Sequence, residues 1–77
     1  MGSFNMVLCT DVILTEISQG FSQRDVALSY AMAIKSDRAG ADKPDWKRIN
    51  EAIVAQWSPA GLERVKALAW ELLTEAS

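Results

Sequence analysis

The chain has 77 residues, and a hydrophobic fraction of 49% with 23% charged residues is typical of one globular domain rather than a disordered segment. A net charge of −2 gives no overall attraction to phosphate backbones or anionic bilayers. Because it has one cysteine and no histidine, the chain cannot form an internal disulfide or a Cys/His zinc cluster, and this favours the reducing cytoplasm.

The first ten residues lack the features of a targeting segment. They contain no Lys or Arg and only a short apolar run, unlike a signal peptide. Met6 stands where a myristoylation pattern needs Ser or Thr. We therefore expect no membrane association. We expect residues 1–10 to form a flexible N-terminus, of which residues 1–5 are consistent with a cloning remnant, and residues 11–77 to form a single helical domain.

The segment 6–20 has mixed signals. Val12 and Ile13 favour a strand, whereas Asp11 as a cap and Gly20 as a stop favour a short helix. A strand needs a pairing edge, and no other segment alternates with period two. The sequence therefore predicts a helix over Asp11–Gln19. A strand remains the alternative if two chains pair along this segment.

A second helix is predicted over Gln23–Asp37. Ser22 followed by Asp25 resembles a capping box, and Gly40 is a typical stop just past the end. Helical periodicity gives this segment one main apolar face. That face consists of Val26, Tyr30, Ala33 and Ile34.

A third helix is predicted to begin near Pro44, placed in the first turn behind Asp42 or Lys43. The residues that share its apolar face include two of the three tryptophans, which are expected to be core anchors. They are Trp46, Ile49, Ile53 and Trp57.

A fourth helix is predicted to begin with Ser58 as N-cap and Pro59 in the first helical position. Its apolar stripe is the most regular in the chain and comprises Leu62, Val65, Leu68, Ala69, Leu72, Leu73 and Ala76. The expected fold is therefore all-α: a small four-helix bundle with a short first helix, in which the last two helices form a helical hairpin.

The turn between the last two segments raises the question of a DNA-reading helix-turn-helix. In that motif the first residues of the second helix contact base edges, usually through Arg, Lys, Asn or Gln. Residues 58–63 offer none of these, and only Arg64, after a Glu63 that would repel DNA, could serve. The turn is better interpreted as the corner of a bundle.

Few side chains in this sequence are suited to catalysis. Cys9 has no basic neighbour in sequence to activate it and is interpreted as a small apolar residue in or near the core. Asp37, Asp42 and Asp45 do not have the spacing of a calcium loop and are interpreted as caps. We expect no catalytic activity, no metal, no cofactor and no small-molecule substrate.

Five of the eight basic residues fall in the stretch KSDRAGADKPDWKR. Such a concentration near a helix start indicates a site for an anion or an acidic partner. The alternative is a solvated loop whose charges the three aspartates neutralise. The basic residues are Lys35, Arg38, Lys43, Lys47 and Arg48.

Several large apolar residues lie away from the predicted core stripes. Trp70, beside Lys66, is off the stripe of the last helix, and Leu28 with Met32 is on the far side of the second. Tryptophan is common at the centres of interfaces. We therefore expect these four residues to bind a protein partner or a second copy of the chain.

The leading hypothesis is a small cytoplasmic protein-protein interaction or regulatory module. The alternative is a small helical nucleic-acid-binding regulator that contacts phosphates through residues 35–48.

Overall fold

The computed structural model describes residues 8–75, which form three α-helices. They are α1 (Cys9–Ser18), α2 (Gln23–Arg38) and α3 (Trp46–Glu75). The predicted all-α class is confirmed, since this part of the chain contains no strand. A four-helix bundle is not confirmed, because the last two predicted helices follow each other without a loop as α3, whose backbone leaves helical geometry at Ser58. None of these helices is both long and apolar enough to span a bilayer.

The N-terminal predictions are met only in part. Helix α1 starts at Cys9, two residues before the predicted start, so the helical alternative is correct for residues 9–15. Residues 1–7, which include the proposed cloning remnant and most of the expected flexible N-terminus, lie outside the described part of the chain.

A glycine lies just past the C-terminal end of α1 and of α2. Gly40, with φ 74°, donates its N–H to the Asp37 carbonyl at 3.1 Å, and the next residue, Ala41, donates to the Ser36 carbonyl at 2.9 Å. These two bonds form a Schellman motif, which satisfies carbonyls that the helix leaves free. Gly20, with φ 82°, ends α1 through the same pair of bonds. Both stops were predicted from the sequence.

The bend in α3 lies at Ser58, where φ is 72° and ψ is 168°. Glycine is almost the only residue that occupies this backbone region without strain. Pro59 follows, has no N–H to continue the helical ladder, and disfavours helical geometry in the residue before it. The helix was predicted to restart here, with Ser58 as N-cap and Pro59 in the first helical position, and the non-helical backbone of Ser58 lies at that boundary.

The chain packs tightly against itself after the bend. Gly61 is buried, and a Cβ atom added there would collide with the Cβ of Trp57. Only a residue without a side chain fits this position, so the close approach depends on glycine.

One hydrophobic core joins all three helices. Its fully buried members come from α1, from α2 and from α3 on both sides of the bend; the largest are Ile13, Val26, Ile49, Ile53 and Val65. Burying each isoleucine contributes about 2–3 kcal/mol. Trp46 and Trp57, predicted as core anchors, are half-buried and pack against the edge of this core. Ala76 of the predicted last stripe lies outside the described residues.

We expect Ser58→Gly to stabilise the protein. Relief of strain at positive φ outweighs the extra chain entropy of glycine, for a net gain of about 1 kcal/mol in the free energy of unfolding. Urea denaturation followed by circular dichroism measures this change. Ala67→Gly, at an exposed helical position of α3, is the control and should lose about 1 kcal/mol. A loss of stability in Ser58→Gly would contradict the strained geometry.

Candidate functional site

The start of α1 is tied to the loop between α2 and α3. The N–H of Cys9 donates to Asp42 Oδ2 at 3.1 Å, and the N–H of Asp45 donates to Thr10 Oγ1 at 3.0 Å. Thr10 is buried, although it is polar. The Asp42 carboxylate thus caps a helix that begins 33 residues earlier in the chain. We call this region, residues 9–10 with 36–46, the helix-end junction.

The other two aspartates of the loop also act as acceptors within the fold. Asp37 Oδ2 accepts a hydrogen bond from Trp46 Nε1 at 2.9 Å, and Asp45 Oδ1 accepts one from the N–H of Arg48 at 3.2 Å. The interpretation of the aspartates as caps is correct for Asp42 and Asp45. Asp37 instead orients an indole ring.

The predicted start of α3 needs a correction. Asp45 is the capping residue and the helix begins at Trp46, so Pro44 lies before the helix and is buried. Asp42 does cap a helix, but that helix is α1. Sequence proximity to Pro44 could not indicate this.

The predicted basic residues are all exposed: Lys35, Arg38, Lys43, Lys47 and Arg48. None of them forms an ion pair within residues 8–75, where the one pair within 4.0 Å is Lys66 with Glu63. Residues 35–48 contain five basic and three acidic side chains, so this stretch has an excess of two positive charges in a chain of net charge −2. Internal ion pairs therefore do not neutralise it.

A cleft opens beside the helix-end junction. Its volume is ≈ 160 Å³, and its lining residues are Tyr30, Ile34, Trp46, Lys66 and Trp70. The rings of Tyr30 and Trp46 lie 5.0 Å apart at an interplanar angle of 51°. The Tyr30 hydroxyl donates to Asn50 Oδ1 at 2.9 Å. We call this the Trp70 cleft.

Trp70 is the exposed wall of the Trp70 cleft, with 46% of its surface accessible. The guanidinium carbon of Arg38 lies 5.2 Å from the centre of the Trp70 ring, which is within the range of a cation–π contact. Lys66 donates to Glu63 at 3.4 Å on the same helix. The structure thus brings together Trp70, Lys66 and Arg38 from the two predicted sets.

Leu28 and Met32 are exposed as predicted, at 53% and 59%, but they do not join the Trp70 cleft. Met32 lines a different groove, with Cys9, Val12 and Ser29. At 100° per residue, Leu28 and Met32 lie on the side of α2 opposite Tyr30 and Ile34, which line the Trp70 cleft. The predicted partner-binding set is therefore divided between two surfaces.

Three residues of the cleft were absent from the predicted binding set: Tyr30, Ile34 and Trp46. The first two lie on the main apolar face of α2, and Trp46 lies on that of the third predicted helix, so periodicity assigned them to the core. One signal was available. Trp46 is the first residue of the predicted apolar face of its helix. A side chain at the end of a helix has fewer neighbouring helices to bury it than one in the middle.

Cys9 does not have the environment of a reactive thiol. Burial raises the pKa of the Cys9 thiol, and the hydrogen bond to Ser36 opposes this shift while Asp42 adds to it. A nucleophilic cysteine needs a lowered pKa instead. Within residues 8–75, no three His, Cys, Asp or Glu side chains lie close enough to hold a metal ion.

Comparison with known proteins gives no relative. No protein-family model, no curated protein and no solved structure matches the chain. The site must therefore be interpreted from its own residues.

We expect Asp42→Ala to destabilise the protein by about 1–2 kcal/mol, because the N-terminus of α1 loses its cap and a favourable negative charge. The midpoint of urea denaturation measures the loss. Lys43→Ala, at the exposed neighbouring position, should change it by less than about 0.5 kcal/mol. Equal midpoints for the two variants would show that the loop does not cap α1.

Proposed function

We propose that this chain is a small protein-protein interaction module that binds its partner through the Trp70 cleft. The observation that carries the proposal is the half-exposed Trp70 at the mouth of an aromatic cleft. Tryptophan is enriched at the energetic centres of interfaces, because a large rigid ring is buried there at low entropy cost.

The size of the cleft favours a protein partner over a cofactor or small substrate. Small-molecule sites usually measure about 300–1,000 Å³. A volume of ≈ 160 Å³ is enough for one side chain of a partner. The burial that raises the pKa of the Cys9 thiol and the absence of histidine support a module without catalytic activity.

The cleft is also held in place before any partner arrives. Hydrogen bonds fix Trp46 to Asp37 and Tyr30 to Asn50. Groups that are already ordered lose little entropy on binding, so more of the contact energy remains as affinity. A lone reduced cysteine supports a cytoplasmic location as part of the same proposal.

Nucleic-acid binding is the second candidate, and the exposed, unpaired basic side chains of residues 35–48 favour it. The bend in α3 does not support it. Gly61 is buried against Trp57 and Glu63 follows, so only Arg64, which donates to Gln23 Oε1 at 3.1 Å, could reach a base from the start of the helical segment after the bend. Binding to duplex DNA that weakens steeply with added salt would favour this candidate.

We expect Trp70→Ala to abolish partner capture from an extract of the source cells. Loss of a central tryptophan typically weakens an interface by about 2 kcal/mol or more, or roughly 30-fold. Quantitative mass spectrometry of bound proteins measures the effect, and circular dichroism checks that the variant folds. Leu28→Ala is the matched control, because Leu28 is similarly exposed but lies outside the cleft. Retention of the same proteins by Trp70→Ala would refute the proposal.

A further inference from the structure

Resting on the proposed function, we infer that the partner segment that fills the Trp70 cleft is acidic: one apolar side chain with carboxylates on the side that faces Arg38. The cleft itself is suited to the apolar group. Arg38 and the adjoining helix-end junction supply positive charge on one side of the cleft, whereas Glu71 and Glu75 line a second groove at Trp70.

The first argument is how the local carboxylates are used. Asp37, Asp42 and Asp45 each accept a hydrogen bond from an N–H group of the fold. These carboxylates act as internal acceptors, while the neighbouring basic side chains have no ion-pair partner in the described part of the chain. The positive excess of residues 35–48 is therefore available to an outside anion.

The second argument is the state of Arg38. Its contact with the Trp70 ring is the one interaction found for its guanidinium within residues 8–75. An arginine stacked on a ring keeps the N–H groups at its edge free, and their fork geometry fits a carboxylate. Arg38 is thus placed to bind an acidic group next to the side chain that enters the cleft.

The third argument concerns cationic ligands. Three aromatic rings around one cleft is the arrangement that binds quaternary ammonium groups. Here Arg38 and Lys66 already stand at the cleft, and Glu63 is the one carboxylate paired with either of them within residues 8–75. Lys66 is already paired with Glu63, but Arg38 would repel a second cation, so an ammonium ligand is disfavoured.

Single-stranded nucleic acid fits the rings less well than a peptide does. Binding such strands relies on successive bases stacking on exposed aromatic side chains. Tyr30 is 5% exposed and Trp46 is half-buried, so Trp70 alone among the cleft residues offers an open ring. A single exposed ring beside an apolar cleft can bind one apolar side chain of a peptide, with the peptide's carboxylates next to it.

The test is selection of short random peptides displayed on phage against the folded chain, with Trp70→Ala for counter-selection. We expect the enriched peptides to share one apolar residue with Asp or Glu on one side of it. A synthetic peptide of that consensus, made without tryptophan, is then titrated while the fluorescence of the protein's own tryptophans is followed.

Two variants decide the role of charge. Arg38→Gln should weaken the consensus peptide about 10-fold, and added salt should weaken it in the wild-type chain. Arg24→Gln removes the same charge from an exposed position on the same helix that lies outside both the cleft and residues 35–48. It should change affinity by less than about twofold.

The outcomes separate the two proposals. Peptides that depend on Trp70 but have neutral or basic flanks would overturn the acidic partner and leave the proposed function standing. Failure to enrich any Trp70-dependent peptide would overturn both. Tighter binding of oligothymidine than of the consensus peptide, lost in Arg38→Gln, would overturn the acidic partner in favour of nucleic acid.

Discussion

The fold depends on how the helix-end junction satisfies its backbone N–H groups. A helix leaves its first N–H groups without partners, and α1 starts with no side-chain cap from its own N-cap residue, Leu8. Asp42 supplies the missing acceptor for Cys9 from a distant loop. Thr10 holds the same loop through the N–H of Asp45. These two bonds place the loop across the first turn of α1, and Asp45 of the same loop caps α3 through the N–H of Arg48.

The same junction links stability to the proposed function. Carboxylates that accept N–H groups inside the fold are not paired with the nearby lysines and arginines, so the positive charge of residues 35–48 stays exposed. Asp37 also orients Trp46, which lines the cleft. Arg38 is the last residue of α2, and its guanidinium stacks on the ring of Trp70 in the part of α3 after the bend. The apolar cleft and the unpaired cations are neighbours because Asp37 and Arg38, at the C-terminal end of α2, contact Trp46 and Trp70 of the cleft.

Local signals in the sequence were enough for the helical class and for several helix ends. Ser22 and Gly40 act through residues within a few positions of them, so their roles could be predicted. Exposure of Trp70, Leu28 and Met32 also follows from periodicity within single helices. Three features could not be predicted. The Asp42 cap joins distant residues, the grouping of Trp70 away from Met32 depends on how helices are rotated against each other, and positive φ at Ser58 is not expected for a serine.

Hydrogen exchange of individual N–H groups, followed by NMR, tests the helix-end junction most directly. The backbone N–H of Cys9 and the indole N–H of Trp46 should exchange at least about 10-fold more slowly than in an unstructured chain, because Asp42 and Asp37 hold them. Exchange of both groups at the unstructured rate would mean that the two carboxylates are free to pair with the basic side chains, and it would contradict their role as internal acceptors.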